Sequence, residues 1–282
     1  MAPSTLARAG SVPAPPAAVP TLGRAALPLL LLLLTLTLAH GLCAWPAEQP
    51  DWEHPLLGPD FATRHWLGTD AIGRDVLALT LAAARGSLLV ACGAALLGVL
   101  GGGLLGGLAG WRGGLSDWLL TRTLVVLQSL PLLLLAVLVL SLFDTGFVAL
   151  LGLLAVYAAL DVARLARSRV LALRGQAFSA AARLQGAGAW RAFRVQILPN
   201  LQPLLPAALL LAVPQAVLVE SFLGFLGLGP ADAAQSLGSL LAEGMQDLQG
   251  TPMLLLAPAT VMVWLLLGLS SLTRRWSTAE SP

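Results

Sequence analysis

Six apolar blocks divide this chain, at about 25–45, 87–110, 119–143, 146–163, 204–228 and 252–272. They are continuous rather than periodic, so they lack the polar face that a helix on a soluble protein turns to water. About 20 such residues cross the roughly 30 Å hydrocarbon core of a bilayer at 1.5 Å per residue. Only 11% of the 282 residues are charged and the mean hydropathy is +0.83, whereas an ordinary soluble domain is about 25% charged. The expected fold is therefore an all-α membrane protein with six transmembrane helices, and a soluble enzyme is excluded. The fourth block is the weakest, short and ending near Asp161.

All 16 basic residues are arginine. Without a lysine there is no Walker A loop, no Schiff-base amine and no Ser-x-x-Lys nucleophile. If the chain belongs to an ATP-driven machine, another chain binds the ATP. Cys43 and Cys92 have no paired spacing and read as small apolar fillers. His40, His54 and His65 are scattered. No metal and no cofactor are expected, the lipid membrane is a partner, and nucleic acid is not.

Residues 1–23 are rich in Pro and Ala and read as a flexible tail. Residues 24–45 read as an uncleaved first transmembrane helix, with a cleaved signal peptide as the rival, since Arg24 precedes the apolar run. Residues 46–84 form a polar outer loop, 85–272 a five-helix core and 273–282 a second tail. With both termini in the cytoplasm, thirteen of the sixteen arginines lie inside, and only Arg64, Arg74 and Arg85 lie outside. Ten of the fourteen acids fall outside. The inner stretch 164–200 holds seven arginines and no acid.

Several residues carry two readings. Gly98, Gly102, Gly106 and Gly110 recur every four positions, which permits close helix approach in lipid. That approach serves packing within the chain, or else a subunit interface or pathway face. Glu220 in the fifth block is a pathway or gate residue, or a structural acid that is protonated or paired with an arginine. Asp70, Arg74 and Asp75 form a turn closed by an ion pair, or a contact for an external protein. Asp161, Arg164 and Arg167 read as ordinary snorkelling and charge pairing.

The stretch FSAAARLQGAGAWRAFRVQILPN, 178–200, reads as a cationic helix–turn–helix elbow, apolar along Trp190, Phe193 and Ile197. Here the chain resembles the permease subunits of ABC importers, whose cytoplasmic signature runs EAA, three residues, Gly, then a dozen residues to Leu-Pro. Ala181, Ala182, Gly186, Leu198 and Pro199 stand at that spacing. More narrowly, it is similar to the C-type permease of the dipeptide, oligopeptide and nickel group. Four further stretches carry the likeness: LGTDAIGRD at 67–75, the ungapped run 110–131, ARLAR at 163–167, and Glu220 followed by FLGLG at 225–229.

The resemblance implies an ABC type I importer fold and a division of labour. The chain would form half of a translocation pathway for peptides or nickel complexes, in a bacterial inner membrane. Its partners would be a homologous second permease, two ABC ATPase subunits and an external substrate-binding protein. Residues 173–199 would be the cytoplasmic coupling segment, with Ala181, Ala182, Gly186, Trp190, Phe193, Leu198 and Pro199 meeting the ATPase. Asp70, Arg74 and Asp75 would belong to the outer loop or gate. The signature glutamate is Ala180 here, and Leu237 and Met253 replace family tryptophans. Docking then leans on the apolar side and on arginines facing acids of the ATPase. The alternatives are a self-sufficient secondary transporter or channel, and a non-transporting assembly subunit.

Overall fold

The computed structural model describes residues 22–41, 43–142, 146–175, 193–229 and 235–279. Among these there is no strand, only two isolated bridges in the loop before the second helix. The helices are α1 (Leu22–Gly41), α2 (Val76–Arg112), α3 (Gly114–Ser129), α4 (Leu132–Leu142) and α5 (Phe147–Arg174). A π turn (Phe193–Ile197) and one α turn (Leu198–Leu201) then lead into α6 (Leu204–Phe225), α7 (Leu237–Gln246) and α8 (Pro252–Ala279). Four helical stretches are long and apolar enough to cross a membrane: α2, α5, 198–225 and Pro252–Arg274. A fifth is added if α3 and α4 count as one bent span, while α1 is apolar over the shorter Leu27–Ala39.

Two blocks differ from their sequence reading. The third is broken: α3 and α4 meet at 91°. Leu130 there is extended, and Pro131, lacking an amide hydrogen, cannot continue the helical ladder. The fourth, expected to be short, is a 28-residue helix that continues through Arg164, Arg167, Arg169 and Arg174. Those arginines therefore extend a rigid rod and do not begin a loop.

The centre of the fold is the contact between α2 and α5. A Cβ at Gly98, Gly102 or Gly106 would strike the α5 backbone at Ala155, Ala159 or Ala163, and one at Gly110 would lie 3.2 Å from the Arg167 carbonyl. The glycine stripe thus packs within the chain. In lipid no hydrophobic effect drives helices together, so backbone-to-backbone van der Waals contact has to hold them. Gly103 and Gly107, on another face of α2, admit Leu205 and Leu201 in the same way. The main apolar core then joins α2, α6, α8 and α1 through residues such as Leu88, Val213, Val217 and Leu265.

At its arginine end this pair is tied by polar bonds. Arg167 donates to Asp117 through Nε (2.5 Å) and Nη2 (2.8 Å), clamping the first turn of α3 to α5. Arg174 Nη1 donates to the Gly110 carbonyl at 2.8 Å, near the end of α2. Arg167 therefore pairs with Asp117 and not with Asp161, contrary to the simple charge pairing expected within α5.

Replacing Gly106 by Leu forces α2 and α5 apart. The variant is expected to lose at least about 2 kcal/mol of stability, read as a lower thermal midpoint of the purified protein in detergent. Gly101→Leu, where a side chain meets open space, should leave the midpoint unchanged.

Candidate functional site

The loop before α2 is built around the GTDAIGRD stretch. Gly68 and Gly73 adopt φ of +84° and +86°, and the carbonyls of Leu57 and Asp51 leave no room for a side chain at either. Asp70 is buried; its Oδ1 accepts from the amides of Ile72 (3.0 Å) and Arg74 (2.7 Å), and its Oδ2 from Arg74 Nε (2.5 Å). Arg74 Nη2 reaches Glu243 of α7 at 2.5 Å, and Gln235 Nε2 bonds the other oxygen of Glu243 at 3.0 Å. Asp75 caps α2 by accepting from the Ala78 amide at 2.7 Å.

Asp75 also lies 2.9 Å from Nδ1 of the fully buried His65, which stacks on Trp45 at 4.7 Å. Asp51 takes His54 Nδ1 at 2.9 Å, and that bond, followed by the Glu53 amide, holds its carboxyl below the usual range. Asp70 and Asp75 are thus 1% and 4% exposed and wholly occupied in folding the loop. Arg74 is the member that reaches out, joining the loop to α7. Among the three, the local ion-pair reading describes the geometry, and the two acids are too buried to contact an external protein.

Glu220 lies in α6 and is 2% exposed. Its carboxylate accepts from the Ser221 hydroxyl at 3.3 Å, and Ser87 of α2 and Ser236, the N-cap of α7, stand beside it. Ser87 Oγ also accepts from the Leu237 amide at 3.1 Å. Three helices therefore meet at this carboxylate, and the N-terminal end of α7 adds its partial positive charge. No arginine is within ion-pair distance among the described residues, so of the structural readings the pairing with an arginine is absent and hydroxyls surround the carboxyl.

The FLGLG run is the turn that makes the meeting possible. Leu228 N–H bonds the Leu223 carbonyl (2.9 Å) and Gly227 N–H the Gly224 carbonyl (3.0 Å), with Gly227 at φ +76°. That is a Schellman C-cap on α6, closed by Leu228 packing against buried Leu223. Gly224 and Gly238 lie where α6 and α7 touch backbone to backbone. Sequence reasoning missed Ser87 and Ser236. Their only signal was two small polar residues bordering apolar helices.

At the arginine end, Ala181, Ala182, Gly186 and Trp190 lie outside the described residues. Phe193 is 2% exposed, held with Ala166, Val170, Leu173 and Leu201 and close to Gly107 of α2. It was expected on the docking side of the elbow and instead anchors the segment to the core, because a large ring fills the space that Gly107 leaves. Leu198 and Pro199, in the turn before α6, are exposed.

Comparison with known proteins agrees with this architecture. Residues 102–278 match the family model of the binding-protein-dependent transport system inner membrane component. The oligopeptide transport system permease protein of Haemophilus influenzae is 33% identical over 228 residues, covering 81% of this chain and 73% of the relative. Its Escherichia coli K12 counterpart is 34% identical, covering 83% and 78%. A Bacillus subtilis dipeptide transport system permease protein is 38% identical, covering 64% of this chain and 57% of the relative. This chain belongs to the binding-protein-dependent transport family of inner membrane components, the membrane-embedded permease subunits of ABC importers, whose ATPase is carried on separate subunits.

Proposed function

We propose that this chain is the C-type permease of a peptide importer and forms half of the pathway for di- or oligopeptides. Its long alignment to permeases named for oligopeptide transport carries this reading, and the lack of lysine supports it by leaving ATP to a partner. The complete assembly is one copy of this chain, a homologous second permease, two ATPase subunits and an external binding protein. Six spans, counting α1 and taking α3 with α4 as one, put both termini on one side of the membrane, and the arginine bias supports that side as the cytoplasm. The arginine end is then the inner face, and the loop built on Asp70, Arg74 and Asp75 is the outer face.

Coupling falls to residues 173–199. The segment leaves α5, a rod packed along α2, and returns at Phe193, which is locked into the same helix pair. A push on the elbow therefore acts on the closely packed pair α2 and α5. Ala181, Ala182, Gly186, Trp190, Leu198 and Pro199 are the residues assigned to contact with the ATPase, and Phe193 is the lever's fixed end. On the outer side, the Asp70–Arg74–Glu243 bridge holds the loop against α7. Glu220 is a brace, holding α7 against α2 and α6.

Reconstituted in proteoliposomes with its partners, the chain should support ATP-driven uptake of a labelled oligopeptide. Gly186→Asp should reduce that uptake to background while the protein stays folded in the membrane; wild-type substrate-stimulated ATP hydrolysis in this variant would remove the coupling assignment.

Glu220→Ala leaves buried hydroxyls without their acceptor, at a cost of about 1–3 kcal/mol. It should lower the thermal midpoint, and Glu220→Gln, which keeps an acceptor oxygen, should recover most of the loss and of the uptake. Equal stability of wild type and Glu220→Ala, with uptake lost, would instead make Glu220 a pathway residue.

A further inference from the structure

The break between α3 and α4 coincides with a carboxylate that has no charged partner among the described residues. Asp161 lies mid-helix in α5, on the exposed surface of the chain. Its hydrogen-bond partner is the neutral amide Gln128 Nε2 at 3.0 Å, and no arginine is within ion-pair distance among the described residues. Gln128 is in the last turn of α3, and its Oε1 is buried with no partner.

Tyr157, Asp161, Arg164 and Ser168 follow one another at helical spacing and share one side of α5. The positions that touch α2, Ala155, Ala159, Ala163 and Arg167, lie on the other side. A polar stripe pointing away from the chain's own core has no place against lipid tails.

The backbone makes the same argument independently. Ser129, Leu130 and Pro131 are exposed where the two helices meet at 91°. Irregular backbone at membrane depth persists only where protein buries it or where it lines a water-filled cavity. The last carbonyls of α3 lack a following turn of helix and form the negative end of its dipole, with the Val126 carbonyl taking the Ser129 hydroxyl at 2.7 Å. A carboxylate, an unpaired amide oxygen and a helix C-terminus thus converge, and all three favour a cation.

We propose that Asp161, Gln128 and the C-terminal end of α3 form a binding site for a primary ammonium group of the transported peptide, supplied by its amino terminus or by a lysine side chain. The site rests on the reading of the chain as a peptide permease. Asp161, which is exposed, supplies the charge; Gln128 holds it against the end of α3, and the exposed backbone of Ser129, Leu130 and Pro131 borders it.

The test uses the complete reconstituted transporter with three short peptides: one with a free amino terminus and no lysine, its acetylated form, and the acetylated form carrying a lysine. Wild-type uptake of the first peptide checks the permease reading itself. In Asp161→Asn, uptake of both ammonium-bearing peptides should fall about tenfold, a loss of about 1.4 kcal/mol, and Asp161→Glu should restore it; the acetylated lysine-free peptide should be unaffected.

A second measurement is the rate at which a cationic methanethiosulfonate modifies Leu130→Cys, an exposed position at the break that leaves Asp161 intact, with Cys43 and Cys92 replaced by Ala. Saturating free-amino peptide should slow it. An equal fall for all three peptides, no fall for any, unprotected modification, or loss of the second permease from the purified Asp161→Asn complex would overturn the proposal, the last by giving Asp161 to a subunit contact.

Discussion

Everything in this fold is arranged around the direct backbone contact of α2 and α5. Inside a bilayer, apolar side chains gain nothing by leaving lipid for one another, so two helices associate firmly only when their backbones come close. Glycines at 98, 102, 106 and 110 allow that over three turns, and the Arg167–Asp117 and Arg174–Gly110 bonds close its arginine end. Phe193 is seated near Gly107 of the same pair, so the stretch that leads into α6 is anchored to these two helices.

Polar groups divide into two kinds. Those that hold the fold are satisfied from within: Asp70 by its own turn, Asp75 by the Ala78 amide of α2 and by His65, Glu220 by the Ser221 hydroxyl with Ser87 and Ser236 beside it. In a low-dielectric surrounding an unsatisfied group is costly, which is why these sets are complete. Asp161 and Gln128 are of the other kind, one exposed on the chain's surface and the other retaining an unpaired acceptor. The contrast separates structural acids from one available to a ligand. Charge count alone could not do so, since Glu220 and Asp161 are both single acids within apolar blocks.

The family likeness in the sequence was carried by short motifs, and the structure explains why those motifs exist where it describes them. GTDAIGRD contains two glycines in left-handed geometry and two aspartates that bond nearby amides. FLGLG is a helix cap. Such local patterns read well from sequence because their partners are a few residues away. Arg74 with Glu243, Glu220 with Ser87 and Arg167 with Asp117 join positions 169, 133 and 50 residues apart. Nothing in the residue types alone selects those partners, and Asp161 was accordingly paired with the wrong neighbours.

The residues themselves set the solvent and the division of labour. Long apolar runs leave no alternative to a lipid environment, and a chain without lysine cannot carry a Walker A site. The arginine bias expresses an orientation for the same electrostatic reason. Tertiary structure decided which face each charge occupies. It broke the third block at Pro131, carried α5 through four arginines, turned Phe193 inward and left Asp161 on an open side. Those outcomes depend on which helix surfaces can approach, and backbone proximity in lipid is a property of paired helices that no single helix contains.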